Sequence, residues 1–170
     1  MSRFFRLARM ASVPALALMI VAVPSYAQKA AALKWGPAPA VFPHGAKMAV
    51  VSGDPTKSGP FTVDLSFPAG YRIPPHWHPT DEHVTVKQGT LLLGMGDTLS
   101  AATMKKMTVL KKGQSADAKA NMHHYAAARS HAVVEVSAQG PFAMTYVNAS
   151  DDPQQRMAAK GKGKMMKPKM

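Results

Sequence analysis

Two imidazoles separated by one residue, His76-Trp77-His78, are followed after three intervening residues by a carboxylate, Glu82, and much further along the chain by another imidazole, His124. Side chains two apart on a strand share a face, so His76 and His78 project together and Trp77 projects away. Glu82 is in phase with Val84 and Val86, whereas His83, Thr85 and Lys87 take the alternate phase. Two valines in register with the carboxylate direct Glu82 toward an apolar interior. Left there without partners, each of these polar groups would carry a desolvation cost. A divalent cation removes that cost, because neutral imidazole and carboxylate are its natural ligands. The chemistry to look for is a metal centre.

The spacing around these residues resembles the cupin superfamily. Gly70, five residues, His76-Trp77-His78, three residues, Glu82, six residues and Gly89 agree with the family's first motif at every fixed position. The second motif is similar to the stretch from Gly113 to Ala128. Lys119 stands where the family has Pro, Asn121 where it has Gly, His124 in the ligand slot and Ala128 where it ends on Asn. Asn is the best replacement for Gly at a left-handed turn position, which supports this register. His123 in the slot would instead put Ala120 at that position, so His124 is chosen as the fourth ligand, with His123 as the alternative. The stretch from Gly140-Pro141-Phe142 to Asp151-Asp152-Pro153 also resembles a subgroup of small exported cupins.

The resemblance covers about Met48 to Val147 and implies an all-β, cupin-type jelly-roll barrel. It implies one divalent metal (Mn, Fe, Zn or Ni) on His76, His78, Glu82 and His124, a small-molecule ligand or substrate, and often a homodimer. A metal-dependent oxygenase or related enzyme acting on a small organic molecule is the leading expectation. A non-catalytic metal-binding or small-molecule-sensing module is the alternative. Glu135, between Val134 and Val136, is expected to face outward, since both valines then point inward together; the competing reading makes it a partner of a ligating histidine.

The elements that must position this site are short strands between turns. Phe61, Val63, Leu65 and Phe67 alternate with polar residues, a period of two with one buried face. Met48–Val51, a strand through Val84 and Val86 to Gln88, Leu91–Met95, Met107–Leu110, Tyr125–Ala128, Val133–Val136 and Phe142–Val147 complete the set, with one helical turn over Ala101–Lys106. Such a pattern argues for a sandwich or barrel. Residues 28–47, rich in Ala, Pro and Gly, are expected to form an irregular arm, 48–150 the domain, and 151–170 a disordered basic tail.

The 170 residues are 46% apolar and 18% charged, which bounds the chain to one domain with appendages. The absence of cysteine excludes disulfides, thiol nucleophiles and Cys-bound zinc or iron–sulfur sites. The net charge of +12 is concentrated at the ends. Arg3, Arg6 and Arg9 precede an apolar run and the small residues Ser25 and Ala27, the pattern of a secretory signal cut after Ala27, so a periplasmic or secreted location is expected. An uncleaved anchor is the other reading of residues 1–27. With both ends set aside, bases barely exceed acids, and no nucleic-acid footprint is expected. The basic tail is expected to be solubilising, with attraction to anionic surfaces as its sharper alternative.

Overall fold

The structure, a computed structural model, describes residues 32–165. The signal expected at 1–27 and the first residues of the arm lie outside them. Eleven strands occur: β1 (Gly36–Pro37), β2 (Lys47–Ser52), β3 (Gly59–Phe67), β4 (Arg72–Trp77), β5 (Glu82–Gln88), β6 (Thr90–Met95), β7 (Thr108–Lys111), β8 (Ser115–Ala118), β9 (His124–Ala128), β10 (Ala132–Gly140) and β11 (Thr145–Tyr146). Helix α1 (Ala101–Met104) follows β6, and α2 (Pro153–Met165) ends the described chain. The strands form two antiparallel sheets, in the orders β1-β2-β3-β10-β5-β8 and β11-β4-β9-β6-β7.

The period of two in β3 does what it predicts: Phe61, Val63, Leu65 and Phe67 are buried in the core between the sheets. They meet Val84 and Val86 of β5 and Val134 and Val136 of β10 from the same sheet, and Ile73, Leu91, Leu93 and Ala126 from the other. The unbroken apolar run of β6 is buried on both faces. Leu91 and Leu93 enter the core, while Leu92 packs outside with Met107, Tyr125 and Ala127, partly covered by Leu99 and Met104. Gly89, between β5 and β6, has a φ of +77°, and a Cβ there would run into the His131 carbonyl. Only glycine satisfies both constraints.

On the outer face of β3, Asp64 is 2% exposed. Lys87 Nζ lies 3.0 and 3.1 Å from its two oxygens and 3.1 Å from Glu135. Glu135 therefore faces outward, as its flanking valines require. Lys87→Met would leave the Asp64 carboxylate buried without its cation. A loss of about 1–3 kcal/mol is expected in denaturant melts, and Asp64→Leu added to it should recover much of the loss. A single variant as stable as the parent would contradict this reading.

Several expectations are corrected. The arm is not irregular throughout: β1 pairs with β2, and Phe42 and Ala46 are buried in the core. The hydroxyls of Tyr71 and Tyr146 fasten the arm by donating to the carbonyls of Pro43 and Val41. Within the basic C-terminal segment, α2 occupies Pro153–Met165. Asp152 accepts from the Gln154 N–H at 2.8 Å, and Pro153 stands at the first helical position, where its missing N–H costs nothing. The strand expected over Phe142–Val147 contracts to β11. Strand β8 was not anticipated, its small residues offering little hydrophobic contrast.

Candidate metal centre

The strands bring the two histidine-bearing stretches together. His76 on β4 pairs directly with His124 on β9. His78 follows β4, and Glu82 opens β5 in the other sheet, so the four side chains meet between the sheets. The loop before His124 is docked onto the first stretch by three bonds. Asn121 N–H donates to the His78 carbonyl at 2.8 Å, Ala120 N–H to Asp81 at 2.8 Å, and Lys119 Nζ lies 2.8 Å from the same carboxylate. Lys119, which departs from the family pattern, thus has a local role.

Asn121 has a φ of 60°, the one non-glycine residue with positive φ among the described residues. The left-handed turn anticipated from its type is present. Asn121→Ala should cost about 1 kcal/mol, with Asn121→Gly close to neutral, measured by thermal melts of the pair. Equal stability of the two variants would remove the conformational argument.

His76, His78 and His124 are 3%, 6% and 2% exposed, and one ring nitrogen from each lies within 4.8 Å of the others. Their other nitrogens are tied to backbone. The Nδ1 atoms of His76, His78 and His124 are bonded to the carbonyls of Pro74, Ala143 and Met122 at 2.8, 2.7 and 2.9 Å. A carbonyl only accepts, so each Nδ1 carries a proton, and in the neutral ring the lone pair is left on Nε2. Glu82 Oε2 lies 3.5 Å from His124 Nε2 and 3.8 Å from His78 Nε2. His124 Nε2 is fully buried and makes no hydrogen bond.

Neutral rings thus turn acceptors toward a carboxylate acceptor in a buried space, which is unfavourable without a positive charge between them. Burial, then the neighbouring His124 and His78, push His76 down to about 3, so it is neutral at physiological pH. Burial alone would raise the Glu82 carboxyl, but positive charge placed among His124, His78 and His76 outweighs it and holds the group below the usual carboxylate range. Three imidazoles and one carboxylate form a donor set suited to a divalent first-row metal.

His123 is turned away, its Nδ1 2.6 Å from Asp97 and its side chain 39% exposed. His83 likewise faces out against Asp117. The cavity at the three histidines and Glu82 measures about 40 Å³ and is otherwise lined by apolar side chains, among them Phe42, Phe67 and Leu93. It has room for an ion and a water or two. Trp77, Met95 and Tyr146 do not line it.

Phe42 and Phe142 belong to the site but were not singled out in the sequence. Phe142 lies 5.4 Å from the His78 ring and stacks on Phe42 at 5.9 Å. The Pro141-Phe142 pair after a long strand was the available signal; for Phe42, on an arm, there was none.

No protein-family model and no curated protein matches the sequence. Solved structures do match. The polyketide cyclase RemF from Streptomyces resistomycificus is 14% identical, with a TM-score of 0.52 over 66% of this chain and 78% of that one. A structure of oxalate oxidase is 19% identical, with a TM-score of 0.47 over 74% and 70%. A cupin superfamily protein from Desulfitobacterium hafniense DCB-2 is 11% identical, with a TM-score of 0.46 over 56% and 78%. The fold is a cupin jelly roll. Within it sits a group of three buried histidines that can hold a metal ion.

Proposed function

We propose that the chain is a cupin that holds one divalent metal through the Nε2 atoms of His76, His78 and His124 and a carboxylate oxygen of Glu82, and presents it to a small organic molecule. The observation that carries this reading is the orphaned Nε2 of His124, grouped with a ring nitrogen of His76 and of His78 and lying 3.5 Å from Glu82. Nothing else in the cavity lining satisfies it. When bound, such an ion supplies Lewis-acid or dioxygen chemistry at its positions not taken by protein. The carbonyls of Pro74, Ala143 and Met122 fix the three rings, Glu82 balances the charge, and the apolar walls exclude bulk water.

A metal-dependent oxygenase or related enzyme is the favoured activity. A binding or sensing module without turnover is the second reading. It is favoured by one observation: apart from the four proposed ligands, the cavity is lined by no side chain able to serve as general acid or base, and Glu135 lies outside. Metal analysis of protein purified from its own compartment tests the centre; one ion per chain is expected, and chains devoid of any ion would count against it. Oxygen uptake by the Fe(II)-loaded protein with diketones and phenols supports the enzyme, whereas ligand binding without uptake supports the module.

A further inference from the structure

The space at the histidines does not end there. Phe42, Leu65, Glu82 and Val136 also line a second cavity of about 380 Å³, completed by residues that include Met48, Phe61 and Phe142. Glu82 belongs to both, so the larger space reaches the carboxylate. Its volume lies within the range of small-molecule sites. Its chemistry is unusually uniform. Thr56 and Glu82 are the sole polar side chains lining it, and no Lys, Arg or His does so.

That lining selects among ligands. Along these walls an anionic molecule would be desolvated with no protein cation to meet it, the metal site at one end being its sole positive partner. An apolar body would be buried at a gain. Phe142 is parallel to Phe42 and perpendicular to Phe61, at 6.3 Å from the latter, so a ring entering here finds both a face and an edge. We propose that this groove is the substrate channel of the metal centre, and that it takes a neutral, ring-bearing small molecule whose apolar part lies against Phe61, Phe142 and Met48 and whose oxygen atoms point toward the metal site that Glu82 shares with the histidines. The inference rests on the metal centre proposed above.

The test uses the full chain loaded with Co(II), whose visible spectrum reports the ion's surroundings. Benzoylacetone, neutral and carrying a phenyl ring, is titrated against oxalate, which offers two oxygen donors with charge and no ring. Benzoylacetone should shift the cobalt bands at a concentration at least about tenfold below that needed for oxalate. Thr56→Trp, at an exposed position lining the groove, should raise the benzoylacetone requirement about tenfold and leave cobalt affinity and the oxalate response unchanged. With cobalt bound, oxalate binding as tightly as benzoylacetone, or a Thr56→Trp protein with unaltered response, overturns the channel while the metal centre stands. A protein that takes up no cobalt overturns the centre and the channel with it.

Discussion

His124→Ala should lower the affinity for a divalent ion by at least about a hundredfold, more than the loss of an outer hydrogen-bond partner usually costs. His76→Ala should do the same. Each removes a donor whose Nδ1 is pinned to a backbone carbonyl and whose Nε2 has no other use in the fold. His123→Ala is the matched control, since its ring is engaged with Asp97 and half exposed. Competition with a chromophoric chelator measures all three, with melts of the metal-free proteins as the check on folding. Full affinity in His124→Ala with a loss in His123→Ala would mean that the turn before β9 is shifted by one residue.

Acid should destabilise the metal-free protein steeply. In the unfolded chain His76 takes up a proton near 6.5, but in the fold its burial delays this to about 3. A group whose value is depressed on folding contributes stability that is complete above the unfolded value and is lost as the pH falls toward the folded one. Stability should thus decline from about pH 6.5 downward at about 1.4 kcal/mol per unit for this one group. Between pH 7 and 5 the loss is about 2 kcal/mol. Denaturant titrations at the two values read it directly, and His76→Phe should flatten the decline. Added metal should oppose it by binding the native state alone. A metal-free protein equally stable at both values would contradict the neutral, buried imidazole.

Much of the candidate site was legible because the signals were local. His76 and His78 two apart, and Glu82 in phase with Val84 and Val86, are statements about strand geometry that hold wherever the strands lie. The choice of His124 over His123 rested on Asn121, whose type announced a left-handed backbone. The walls of the site were not legible. Phe42 sits on an arm with no periodicity, and its burial depends on Tyr71 and Tyr146 holding that arm in place, a contact between residues distant in sequence. Phe142 sits in what reads as strand, and only its neighbours His78 and Phe42 explain its direction. The helix α2 was hidden by lysines and glycines that build no core. Its start was nevertheless written in Asp152-Pro153-Gln154, a cap signal whose effect does not require a buried face.

X-ray absorption at the edge of the bound ion tests the central claim most directly. Light-atom scattering with the outer-shell pattern of three imidazoles, reduced to two in both His76→Ala and His124→Ala, is the predicted result. A spectrum without imidazole, or one unchanged by either substitution, would mean that the ion sits elsewhere and that these histidines are not its ligands.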